Sequence, residues 1–132
     1  MNNLVSIITP FYNSSKFIEE CVNSILLQSY SNWELLIVDD CSDDNSKELL
    51  LNLEKKDERI RVTFLGDNIG AAKARNIAIR NAKGRYIAFL DSDDIWRGDK
   101  LEKQIKFMEK EDVAFSFTSY TPISEDGSVS FA

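Results

Sequence analysis

Residues 86–94, Tyr86-Ile87-Ala88-Phe89-Leu90-Asp91-Ser92-Asp93-Asp94, read YIAFLDSDD, an apolar run that passes straight into three carboxylates. No polar residue alternates through the run, so it predicts a strand covered on both faces. Residues 34–40, ELLIVDD, repeat the arrangement, closing on Asp39 and Asp40. Charge beside a core is costly unless something pairs with it. Both strand ends therefore require a partner: a cation, a set of helix N–H groups, or water.

The same reading extends outward along the chain. Strands are expected at residues 5–9 (VSIIT), 34–38 (ELLIV), 61–65 (RVTFL), 86–90 (YIAFL) and 113–118 (VAFSFT). Residues 16–28 space Phe17, Cys21 and Ile25, and Ile18, Val22 and Leu26, four apart, which makes one broad apolar helix face. Residues 46–56 follow cap-forming residues, with Asn45 and Glu48 spaced as a capping box. Residues 71–82 are alanine-rich and precede Gly84, a helix stop. Residues 100–111 follow Asp99, spaced as a second capping box with Glu102, and offer Leu101, Ile105 and Met108 for burial. Strands and helices in alternation imply right-handed crossovers and a mostly parallel, helix-covered sheet, an α/β fold. Beyond Tyr120, the Asp126-Gly127 pair has the chemistry of a hairpin turn.

Composition narrows the function. The 132 residues suit one domain burying roughly 65–70 % of its unfolded surface. A formal charge of −6 argues against a nucleic-acid backbone as main partner, and makes a polyanionic ligand dependent on a metal or on local basic groups. Histidine is absent, which excludes Ser-His-Asp and Cys-His mechanisms and any histidine metal ligand within this chain. Cys21 and Cys41 read as buried reduced thiols, in keeping with a reducing cytosol. Apolar runs of about five residues fall far below the roughly 20 that span a bilayer, so no transmembrane segment is expected. Nor does the N-terminus pattern as a signal peptide.

Ligands of open α/β sheets bind outside the carboxyl ends of the strands. The residues there are Pro10, Phe11, Tyr12 and Asn13 after the first strand, Asp39 and Asp40 after the second, residues 66–70 (GDNIG) after the third, and Asp91 to Asp94 after the fourth. Each has an ordinary structural reading as a turn residue, a helix cap or a solvated loop. Their joint placement on one sheet edge favours a shared ligand. Asp91 and Asp93, two apart at a strand end, can face a hard divalent cation. Tyr12 can stack on a base, and Asp39 can accept a base N–H. Gly70 permits close backbone approach at a helix N-terminus that favours an anion, and Arg75 lies one turn further in. A nucleotide diphosphate fits this set.

These residues resemble the N-terminal half of family 2 glycosyltransferases with the GT-A fold. The resemblance runs through VSIITPFYN, SILLQSYSNWELLIVDDCSDD, NIGAAKARNIAIRNAKGRYIAFLDSDDIW and KLEKQI, nearly the whole chain. It implies a Rossmann-like nucleotide-diphospho-sugar transferase fold, with residues 1–132 as the donor-binding part. It implies that Tyr12, Asp39 and Asp40 hold the nucleotide base, with Pro10 and Asn13 shaping the pocket. Asn68, Gly70 and Arg75 would lie near the nucleotide and its phosphates. Asp91 and Ser92 would serve the nucleotide, and Asp91, Asp93 and Asp94 an Mn2+ or Mg2+ ion. The implied reaction moves a sugar from a UDP-sugar donor to a glycan or lipid-linked acceptor by inversion. The implied setting is bacterial polysaccharide assembly at the cytoplasmic face of the membrane.

One departure matters. The carboxylate that acts as general base in the family lies well beyond the D-x-D region, and Glu125 and Asp126 come too early to match it. The base is therefore expected outside this chain. A sheet that stops short exposes apolar surface and favours self-association. Other readings fit less well. A phosphoacceptor receiver would place an acidic pair after the first strand, where Pro10-Phe11 stands, and a lysine after the fifth. Dinucleotide-binding and nucleotidyltransferase folds would need a glycine-rich loop after the first strand. A non-catalytic nucleotide-sugar binding module differs only in the acceptor half.

Overall fold

The computed structural model describes residues 3–124. They divide into two compact units, the first running to Glu102 and the second starting at Lys103. In the first unit, β1 (Val5–Phe11), β2 (Trp33–Asp39), β3 (Ile60–Phe64) and β4 (Tyr86–Phe89) alternate with α1 (Ile18–Leu26), α2 (Ser46–Lys56) and α3 (Ala71–Asn81). The helix α4 (Lys100–Glu111) begins there and continues into the second unit.

The sheet is parallel, in the order β3-β2-β1-β4. Two successive crossovers step one way, and the third jumps back across β2 and β1. With right-handed connections, α1 and α2 therefore lie on one face and α3 on the other. Every residue of β2 is buried, as is β1 apart from half-buried Pro10. Ile8, Leu36 and Val38 meet Ala74 and Ala78 of α3, whose small side chains suit a closely packed helix. The strand order reverses between β1 and β4, where such sheets open a crevice at their carboxyl edge.

Several expectations change. β4 was expected to be covered on both faces, but Ile87 is 42 % and Phe89 54 % exposed. They stand in register with Ser6 and Ile8, on the α3 side. That helix covers β1 and β2 rather than the edge strand. Residues 113–118 form no strand, and Phe115 and Phe117 lie exposed. Asn45 makes no side-chain cap on α2. Asp44 does so instead, its Oδ1 accepting the Ser46 N–H at 3.1 Å and the Ser46 hydroxyl. Gly84 does not terminate α3, which ends at Asn81 before extended Ala82. A Cβ on Gly84 would meet Leu4 O and Ser6 N, each at 2.7 Å, so the glycine answers to the backbone at the start of β1. The turn expected at Asp126-Gly127, and Glu125, lie outside the described residues.

At the amino edge of the sheet, Glu34 is buried and fully engaged. It accepts the Ser6 hydroxyl at 2.6 Å, the Lys83 N–H at 2.8 Å and an Arg61 guanidinium N–H. Burial pushes its carboxyl up, and the donors from Lys83, Ser6 and Arg61 more than offset this, leaving it below the ordinary value.

Candidate nucleotide site

At the carboxyl edge, two adjacent aspartates take different positions. Both are buried, Asp39 being 6 % and Asp40 4 % exposed. Asp40 turns toward the loop before α3. Its Oδ1 accepts the Ile69 N–H at 2.7 Å and its Oδ2 the Gly70 N–H at 2.9 Å, while its carbonyl accepts the Asn68 amide at 3.1 Å. Both carboxylate oxygens are thus satisfied by the backbone, and the loop is locked. Gly70 sits at φ 92°, a conformation that favours glycine. Asp39 keeps an oxygen in hand: Oδ1 accepts the Ser42 N–H at 3.2 Å and the Ser42 hydroxyl at 2.6 Å. Its Oδ2 makes no hydrogen bond among the described residues.

The loop after β1 is fastened to the loop after β2. Asn13, in the left-handed region at φ 50°, donates its backbone N–H to Ser42 Oγ at 3.0 Å and its side-chain amide to Asp43 Oδ1 at 2.7 Å. Its side-chain oxygen accepts the N–H groups of Asp43 and Asp44. Asparagine tolerates this backbone better than most residues. The stapling leaves the Tyr12 side chain 47 % exposed at the strand end.

Beyond β4, Leu90 continues the pairing through its N–H to Ile8 O, and Asp91 to Asp94 form a turn closed by Asp94 N–H to Asp91 O at 3.0 Å. Arg75 on α3 reaches Asp91 Oδ1 at 3.0 Å, an ion pair half open to solvent. The side chains of Asp93 and Asp94 make no hydrogen bond or ion pair among the described residues. Burial, then Asp93 and Asp91, push the Asp94 carboxyl above its ordinary range. Burial, then Asp94, Asp93 and Asp91, push the Cys21 thiol up to about 12, so it stays protonated. The turn thus holds more negative charge than its surroundings compensate. Among the described residues no three acidic or thiol groups converge as a ready-made cage. A bound cation would draw further ligands from elsewhere, and diphosphate oxygens are suited to that.

The segment after the turn is strapped to α1. Cys21 Sγ meets Asp91 O at 3.5 Å, Trp96 N–H donates to Ser24 Oγ at 3.1 Å, and Gln28 donates to Arg97 O and accepts from Leu101 N–H. Sequence reasoning passed over Ser24, Gln28 and Ser42. For Ser24 and Gln28 a signal existed: polar residues four apart on an apolar helix face need partners. Pro10 lies within β1, opposite Val38, and buried Ser92 forms part of the acidic turn.

Comparison with known proteins agrees with this architecture. The family described as Glycosyl transferase family 2 matches residues 6–130. A Bacillus subtilis protein named as a teichuronic acid biosynthesis glycosyltransferase, TuaG, is 56 % identical over 94 % of this chain and 49 % of its own length. The Escherichia coli UDP-Glc:alpha-D-GlcNAc-diphosphoundecaprenol beta-1,3-glucosyltransferase WfgD is 47 % identical over 96 % of this chain and 49 % of its own. The chain thus spans about half the length of these curated relatives. Among solved structures, S. aureus TarS 1–349 in complex with UDP-GlcNAc superposes with a TM-score of 0.77 at 29 % identity, covering 89 % of this chain and 37 % of that one. An apolar parallel sheet ending in an acidic carboxyl edge, matched along nearly its whole length, places the chain in glycosyl transferase family 2.

Proposed function

We propose that residues 1–132 form the donor-binding part of a metal-dependent glycosyltransferase. It transfers a sugar from a UDP-sugar to a glycan or lipid-linked acceptor by inversion. The observation that carries this reading is the convergence at one sheet edge of an exposed aromatic ring, a carboxylate with a spare oxygen and an undercompensated acidic turn. The UDP-sugar ligand of TarS and the donor and acceptor in the name of WfgD support it.

In this reading Tyr12 stacks on the base and Asp39 Oδ2 accepts the base N–H, while Asp40 holds the 66–70 loop. Asp91 and Asp93, with Asp94 beside them, would hold Mn2+ or Mg2+, which when bound neutralises charge on the diphosphate leaving group. Arg75 offers a second, charge-assisted contact to the phosphates. The general base comes from outside this chain, as does the acceptor site. No helix among the described residues is long and apolar enough to cross a membrane. A lipid-linked acceptor would bring the enzyme to the cytoplasmic face of the membrane.

Calorimetric titration with UDP, with and without Mn2+, tests the assignment. Wild type is expected to bind tightly only with the metal, and Asp93→Ala to lose that binding while keeping its circular dichroism spectrum and melting temperature. Equal affinity in the folded mutant would remove the metal role of Asp93.

A further inference from the structure

The Ser42 hydroxyl lies between two site loops, with its hydrogen bonds committed in one direction. It receives the Asn13 N–H at 3.0 Å, and an N–H can only donate. The hydroxyl proton is thereby left for Asp39 Oδ1, 2.6 Å away. The Ser42 N–H bonds the same oxygen at 3.2 Å. Two donors from one residue thus fix one oxygen of a buried carboxylate and set where the other points. Asn13 completes the clamp through Asp43 and Asp44, and it follows Tyr12 directly in the chain. The aromatic ring and the carboxylate are consequently joined through one hydroxyl rather than set independently.

We propose that Ser42 is a positioning and base-specificity residue: it orients Asp39 so that Oδ2 meets a base N–H, and ties that oxygen to the loop carrying Tyr12. This rests on the reading of Asp39 as the base acceptor. Uracil offers an N3–H to such an oxygen, whereas N3 of cytosine carries a lone pair that a carboxylate repels. A fixed Oδ2 therefore selects uridine over cytidine. A carboxylate free to rotate loses both affinity and selection.

The test is titration of the chain with UDP and CDP, in Mn2+, for wild type, Ser42→Ala, Ser42→Thr and Asp39→Ala. Ser42→Ala is expected to lower UDP affinity about tenfold, the scale of one charge-assisted hydrogen bond, and to narrow the UDP-to-CDP ratio. Ser42→Thr, which keeps the hydroxyl, is expected to restore both. A loss of UDP affinity with the ratio unchanged, and no rescue by threonine, would reduce Ser42 to a folding role and overturn the proposal. Wild-type behaviour of Ser42→Ala beside a crippled Asp39→Ala would also overturn it, leaving the role of Asp39 standing. Wild-type behaviour of Asp39→Ala would overturn that reading and the proposal together.

Discussion

Tyr12 directly follows β1 with half its surface in water, a position that burial alone does not explain, since Phe11 beside it is 1 % exposed. A ring held at a strand end by a stapled loop is a stacking platform, and base–aromatic stacking contributes about 1–3 kcal/mol. Tyr12→Ala is expected to weaken UDP binding by roughly that amount with or without Mn2+, and Tyr12→Phe to keep most of the affinity. Calorimetry decides: unchanged affinity in the alanine variant would take Tyr12 out of the base site. The neighbouring aspartates show what a sequence conceals at this scale. Asp39 and Asp40 are chemically the same and adjacent, and the family resemblance implies a base-holding role for both. Only the folded loop separates them, because the Ile69 and Gly70 N–H groups that take up Asp40 lie about 30 positions away. Hydrogen-bond partners at that separation leave no local signature.

At the scale of elements, periodicity marks nine segments, and eight of them form to within a few residues, because each buries an apolar face whose spacing is set by backbone geometry; the ninth, at 113–118, forms no strand. Coverage of a strand escaped the pattern. YIAFL reads as doubly covered, yet α3 lies over β1 and β2 and leaves β4 at an edge. Gly84 read as a helix stop because glycine serves both uses, and only the approach of β1 distinguishes them. Glu34 shows how a charged residue joins elements: one carboxylate on β2 holds the Ser6 hydroxyl of β1, the Arg61 guanidinium of β3 and the N–H of Lys83 after α3. Its carboxyl lies below the ordinary value of 4.5, so the stability it confers is complete above that pH and fades as pH falls through the folded value. Glu34→Gln is expected to cost about 1–2 kcal/mol near neutrality, a modest figure because Arg61 is half exposed and solvent-screened. Urea unfolding across acidic pH should show the gap between wild type and mutant shrinking below 4.5. A gap independent of pH would mean that packing, not charge, holds Glu34 in place.

At the scale of the whole molecule, an apolar edge competes with net charge. β4 pairs only with β1, leaving its outer edge without a strand among the described residues, and Ile87 and Phe89 add apolar surface beside it. Such an edge is a template for another strand, and native proteins usually block it with charge, proline or a covering element. Against association stands the formal charge of −6, which makes like chains repel over about 10 Å at 0.1 M salt. The balance gives a directional expectation for the isolated chain. Sedimentation velocity should show average mass rising with protein concentration, and rising further with added salt as repulsion is screened. Phe89→Lys places a charge on the exposed face of the edge strand and should restore the monomer at every salt concentration. If Phe89→Lys associates as wild type does, the contact lies away from the β4 edge, on another of the exposed apolar side chains such as Leu27, Phe115 or Phe117. If wild type stays monomeric at high salt, charge is not what keeps the chains apart, and the β4 edge is too short to recruit a second copy.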